Sequence, residues 1–200
     1  MIPETKTTIP RARRGLRTAL WWRWLLLGGV IWSCGVLPGA SAEPVSKEYQ
    51  LKAAFLYNFT KFVEWPTHRL AAPETPLIIG VLGHNPFGDE LAKAVQGRTQ
   101  NGHPLVVTNL TAAPAGTNVH LLFVPRGQEE RFEPHRTKLH AAGVLTVGET
   151  EAFAQADGLI TFTTEAGKIR FDINQAAAEA AGLKISSKLL QLAKAPRPKP

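Results

Sequence analysis

The chain has 200 residues, 44% of them apolar and 20% charged, enough for an ordinary globular core, and its single cysteine excludes an internal disulfide. The formal net charge of +7, from 23 Lys and Arg against 16 Asp and Glu, is concentrated at the start, where residues 1–42 hold six of the basic residues and one of the acids. The remainder carries 17 basic and 15 acidic residues, a net charge of only +2, and shows no basic stripe of the kind a nucleic-acid backbone requires.

At the N-terminus Arg11, Arg13, Arg14, Arg17 and Arg23 precede an apolar run at 24–37 and then Ala40-Ser41-Ala42, the pattern of a cleavable export signal with cleavage after Ala42. The run is shorter than the about 20 apolar residues of a membrane span and is closed by Pro38 and Gly39. An uncleaved anchor is the alternative. Lipidation at Cys34 is a second alternative, opposed by the bulky Trp32 two residues before it. Cys34 and four of the five tryptophans leave with such a leader. Residues 43–194 are then expected to form one domain, large enough to bury roughly 70% of the surface of its unfolded chain, and 195–200 an extended, proline-rich tail.

In chain order, a helix is expected over 46–64, with Leu51, Phe55, Phe59 and Phe62 on its inward stripe and Trp65-Pro66 ending it. The uninterrupted apolar run at 77–82 reads as an interior strand covered on both faces. A helix from Asn85 or Pro86 to about Gln96, strands at 105–109 and 119–124, a polar helix over 128–142 and a strand at 144–147 follow, with Phe153 in a short segment after them. Strand 159–163 pairs with 168–173 through a turn containing Gly167. In the second of these strands Lys168, Arg170 and Asp172 alternate with Ile169, Phe171 and Ile173, the period of a half-buried strand. Asn174 caps an alanine-rich helix closed by Gly182, and Ser186 or Ser187 caps a last helix that turns Leu189, Leu190 and Leu192 inward. The alternation implies an α/β fold, an open, mainly parallel sheet flanked by helices, with an antiparallel hairpin at its C-terminal end.

Catalytic signatures are wanting. Gly80-Val81-Leu82-Gly83 lacks the dinucleotide fingerprint, and Gly83 to Gly88 has P-loop glycine spacing but runs into Asp89-Glu90, whose charges repel a triphosphate. A tight turn with acids at a helix start accounts for it. The six histidines are scattered without the spacing of a zinc hydrolase. Ser186-Ser187-Lys188 lacks the spacing of a serine nucleophile with a lysine base, so capping is its expected role. No catalytic, cofactor-binding or metal-ligating residue is assigned, and the expectation is a protein that is not an enzyme.

Three blocks, LKAAFLYNFTKFVEWP at 51–66, GVLTVGE at 143–149 and GKIRFDINQAAAEAAGLKISSKLLQLA at 167–193, together with VLGHNPFGDEL at 81–91 and VHLLFV at 119–124, resemble the YfiR family of periplasmic proteins. The resemblance implies a small periplasmic α/β protein that binds the periplasmic part of an inner-membrane diguanylate cyclase, represses it, and so lowers cyclic di-GMP and biofilm formation. It also implies an outer-membrane lipoprotein that sequesters the repressor, and a homodimer is compatible with it. Some relatives carry stabilising cysteine pairs; this chain lacks them, so no redox control is carried over. For the partner surface the residues themselves suggest Tyr57, Asn58, Lys61 and Trp65 on the less apolar side of the first helix, with Trp65 alternatively plugging the helix end, and Arg170 and Lys184 as exposed polar contacts. Two other readings stand beside this one, a periplasmic solute-binding or sensing module with its ligand at the C-terminal ends of the strands, and a hydrolase with an unrecognised site.

Overall fold

The computed structural model describes residues 45–70, 72, 74–114 and 119–193; the expected leader at 1–42, with Cys34, and the tail at 195–200 lie outside them. Helix α1 spans Lys47–Phe62, opened by Ser46, whose hydroxyl accepts from the amide of Tyr49. The chain then passes directly into a two-residue strand β1, Val63–Glu64. Strand β2 is Leu77–Leu82, followed by helix α2, Glu90–Val95, and strands β3, Thr99–Gln100, and β4, His103–Leu110. Strand β5, Leu121–Val124, leads to α3, Glu129–Phe132, and α4, Arg136–Ala141; then come β6, Leu145–Gly148, and α5, Glu151–Gln155. Strands β7, Ile160–Glu165, and β8, Lys168–Ile173, helix α6, Gln175–Ala180, strand β9, Lys184–Ile185, and helix α7, Ser187–Leu192, complete the order.

Seven strands form one sheet in the order β3-β4-β2-β5-β6-β7-β8. The five in the middle are parallel, and the pairings at the two ends, β3 with β4 and β7 with β8, are antiparallel. Strands β1 and β9 make a separate antiparallel pair. The fold is therefore α/β as expected, but the expectation of a mainly parallel sheet with one antiparallel hairpin is corrected: the sheet is mixed, and a second, two-stranded antiparallel sheet accompanies it. The physical reason for the extra hairpin is local, since Asn101 and Gly102, at φ 52° and 88°, form a two-residue turn whose left-handed backbone matches strand twist. The expected C-terminal hairpin is present, turning at Ala166 and Gly167.

Side-chain alternation sends each central strand's residues to opposite layers. Leu77, Ile79, Val81, Leu121 and Phe123 pack with Leu56 and Phe59 of α1, Leu91 of α2, Ala178 of α6 and Leu189 of α7. Leu82, Leu122 and Val124 face the other layer, with Phe132 of α3, Leu139 of α4 and Phe153 of α5.

Several element boundaries differ from the sequence expectations. The polar helix expected over 128–142 is divided by a 3-10 turn at Glu133–His135, because Pro134 has no amide to continue the helical ladder. The helix expected from residue 85 starts at Glu90; Asn85 instead folds the preceding turn, its side chain accepting from the Phe87 amide and donating to the Gly88 carbonyl. Asn174 and Ser186 cap α6 and α7 as expected. Leu192 is 63% exposed and only Leu189 is fully buried, since a six-residue helix offers little more than one turn to the core. On α1, Leu51 is 45% exposed while Lys52 is 3% exposed, so the inward stripe is rotated by one residue from the expected one.

Candidate functional site

Helix α1 ends where β1 pairs with β9, Val63 opposite Ile185 and Glu64 opposite Lys184, and the Ser186 amide donates to the Phe62 carbonyl at 2.8 Å. This short ribbon fastens the start of α7 to the end of α1. Lys61, Phe62 and Glu64 from one side and Lys184, Ile185 and Ser186 from the other line a shallow open depression. One turn earlier on α1 the Tyr57 ring carries two cations, Lys61 Nζ at 4.3 Å and the Arg98 guanidinium at 4.4 Å from its centroid. Such contacts at an exposed site contribute about 0.5–1 kcal/mol each. Hydrogen bonding to Arg98, then to Lys61, holds the Tyr57 hydroxyl below its ordinary pKa of 10.0.

Of the six residues suggested for partner binding, Lys61 and Lys184 share the depression, and Tyr57 adjoins it through Lys61. Asn58 is half-buried on the same helix. Trp65 donates its indole N–H to the His120 carbonyl at 3.0 Å and sets its ring edge-on to the His120 imidazole, which ties the end of α1 to the start of β5. Arg170 lies apart from this group, exposed on β8 opposite Thr163. Arg98 was missed because it follows α2, far along the chain, and reaches Tyr57 only through the packing of α2 against α1.

A second cluster, also missed, is buried. Lys52 Nζ lies 2.5 Å from both Glu149 Oε2 and Glu48 Oε1, and its side chain and that of Glu149 are 4% and 2% exposed. Glu149 Oε1 also accepts from the Tyr49 hydroxyl at 3.0 Å and the Arg126 amide at 2.9 Å. These groups gather at the C-terminal ends of β5 and β6, beside the place where strand order reverses between β2 and its neighbours. The carboxylate directly follows strand β6 and the ammonium sits one turn before Leu56 on α1, and the expected apolar stripe, which put Leu51 inward, gave no signal that these charges are buried. The sequence-expected tight turn at Gly83 has a φ of 70°, and a Cβ there would meet the Gln128 side-chain oxygen at 2.3 Å.

Tyr49 and Tyr57 are the only two tyrosines, and their surroundings push them in opposite directions. Burial, then the Glu149 carboxylate, raises Tyr49 to about 12. An ultraviolet titration is expected to resolve two steps, one below pH 10 and one near 12, with Arg98→Ala moving only the first upward. Between pH 10 and about 12 the folded chain keeps the Tyr49 proton that the unfolded chain releases. The stability this contributes is full below pH 10 and is lost as pH rises through about 12. Tyr49→Phe removes that slope. A single merged step near pH 10 would contradict both environments.

His120 is buried and serves the fold: its Nδ1 accepts from the Ile78 amide, so its Nε2–H donates to the Arg69 carbonyl, and burial lowers its pKa.

A family model described as YfiR/HmsC-like matches residues 49–194. No curated protein matches the chain. Among solved structures, a conserved domain protein from Vibrio cholerae O1 biovar eltor is similar, with 12% sequence identity and a TM-score of 0.48, over 74% of this chain and 60% of that one.

Proposed function

The chain belongs to the YfiR/HmsC-like family, and from that premise we propose that it is a periplasmic regulatory protein that binds the periplasmic part of an inner-membrane diguanylate cyclase and represses it. The match of the family model over residues 49–194 carries this reading. The protein acts by binding rather than by turnover: it has higher affinity for the inactive conformation of the cyclase, which lowers cyclic di-GMP and biofilm formation. Sequestration by an outer-membrane lipoprotein releases the cyclase. The surface we assign to the cyclase is the end of α1 with the β1–β9 ribbon, where Tyr57, Asn58, Lys61 and Lys184 lie with Arg98. An aromatic ring held by cations beside an open depression suits an acidic or aromatic counterpart. Trp65 and Arg170 take lesser parts, the first as a fixed neighbour of that surface and the second as a separate polar contact.

Cyclic di-GMP is to be measured in a deletion strain complemented with the full chain or with a version lacking residues 1–42. A rise on deletion, reversed only by the exported form, supports repression from the periplasm. An unchanged level over several growth conditions sinks it and favours a solute-binding module.

The surface has its own test. The double change Lys61→Glu and Lys184→Glu reverses two exposed charges away from the core and is expected to alter stability by no more than about 2 kcal/mol, through the lost Lys61–Tyr57 contact and a glutamate set opposite Glu64. It is expected to weaken cyclase binding at least roughly tenfold and to leave cyclic di-GMP at the deletion level. Retained repression moves the contact surface elsewhere.

A further inference from the structure

The end of α1 is fixed to the sheet through one histidine. His120, 4% exposed, stands just before β5, and its carbonyl accepts from the Trp65 indole N–H at 3.0 Å and from the Leu145 amide of β6 at 2.8 Å. Its ring Nδ1 accepts from the Ile78 amide of β2 at 3.1 Å, so the ring proton sits on Nε2, 3.2 Å from the Arg69 carbonyl. Arg69 ends the 3-10 turn Thr67–Arg69 that follows Trp65 and Pro66, and its guanidinium donates to the Val119 carbonyl. Three hydrogen bonds thus hold residues 65–69 to residues 119–120. The arrangement accepts only a neutral ring. A second ring proton goes to Nδ1, where it sets a donor against the Ile78 amide, itself a donor, and buries a charge. The charged or titratable groups facing the ring are Arg69, from the turn, and His103, from the start of β4, and each opposes that charge. The neighbouring backbone of β2 and β6, residues 77–79 and 144–145, adds no charge, and Trp65 presents its ring edge-on at 6.4 Å.

We propose that His120 is an acid-released latch: protonation of its ring detaches residues 65–69 from the start of β5 and frees the end of α1 while the rest of the fold stands. The closed latch binds the proton less well than the open form, in which the hydrated imidazole returns to its ordinary pKa of 6.5. The closed form is therefore fully favoured above pH 6.5 and loses ground as pH falls below it. The ratio of open to closed rises up to about tenfold for each pH unit of that fall. Helix α1 carries Tyr57 and Lys61, so acid loosens the surface assigned to the cyclase. That consequence rests on the proposed function, whereas the latch itself does not.

Trp65 is the one tryptophan outside residues 1–42, so its emission in the exported protein reports on the latch. Lowering the pH from above 6.5 is expected to shift that emission reversibly to longer wavelength, as the indole enters water, before far-ultraviolet circular dichroism changes. His120→Asn, whose side-chain oxygen accepts from an amide and which gains no proton, is expected to abolish the step. His103→Gln is expected to keep it. Imidazole NMR of the wild type, which depends on no variant folding, is expected to show one of the six histidine rings titrating at the midpoint of the emission step. Emission that moves only together with the circular dichroism, a step that survives His120→Asn or disappears with His103→Gln, or no ring titrating at its midpoint overturns the proposal.

Discussion

Lys52→Met is expected to destabilise the protein by about 3–5 kcal/mol, the usual result of removing one partner of a buried ion pair. At the about 2–4 °C per kcal/mol of a chain this size, the unfolding midpoint falls by about 6–20 °C. The cause is the Glu149 side chain, 2% exposed, whose carboxylate loses its ion-pair partner Lys52 and keeps the Tyr49 hydroxyl and the Arg126 amide as donors. Glu48 supplies a comparison, because its side chain is 48% exposed and its pairing with Lys52 spans one helical turn. Glu48→Ala is expected to cost no more than about 0.5 kcal/mol. The double replacement Lys52→Met with Glu149→Met removes both charges and is expected to recover more than half of the loss, since the desolvation of the pair offsets much of its attraction. Urea unfolding of wild type, Lys52→Met, Glu149→Met and the double variant measures the coupling. A cost below about 1 kcal/mol for Lys52→Met would show that water, rather than Lys52, balances Glu149.

Phe153→Ala is expected to cost about 3–5 kcal/mol, as loss of a fully buried ring does. The ring is packed with unusual closeness, because Gly148 at the end of β6 and Gly158 before β7 both face it. A Cβ added at Gly148 would come within 2.3 Å of the ring and one at Gly158 within 2.0 Å. Phe132 lies on it as well, with centroids 4.9 Å apart. Gly148→Ala in the wild-type background therefore overpacks the site at a cost of about 1–3 kcal/mol or more. In the Phe153→Ala background the same methyl enters vacated space, and its cost is expected to vanish or reverse. Additive effects in this cycle would mean that the glycines are required for a reason other than the ring.

These two sites differ in how far the sequence disclosed them. Phe153 was read only as part of a short segment, although Thr150 caps α5 by accepting from the Phe153 amide, a local signal. The Asn101-Gly102 hairpin and the break at Pro134 were local signals too, visible in the chain and not used. Strand β2, the hairpin of β7 and β8 and the caps at Asn174 and Ser186 were read correctly, because each depends on residues within a few positions of one another. The family assignment also came from the wording of separate blocks along the chain, and the family model supports it.

The rotation of α1 was of another kind. A four-residue apolar spacing put Leu51 inward, and Lys52 took the buried place because Glu149, brought there by the end of β6, made that position ionic. Strand β1 was assigned to the end of a helix until β9 supplied its hydrogen-bonding partner. Of the six suggested contact residues, the tertiary structure joined Lys61 with Lys184 and left Arg170 apart, and it added Arg98 to Tyr57. The sequence by itself determined the order and type of most elements and the near-neutral charge outside the N-terminal region, because periodicity, capping and composition act over short stretches of chain, and the resemblance of its separate blocks pointed to the family. Only the tertiary structure decided the β1–β9 pair, the buried ion pair and the grouping on α1, because a charge or a two-residue strand acquires its meaning from whichever distant residue the fold sets against it.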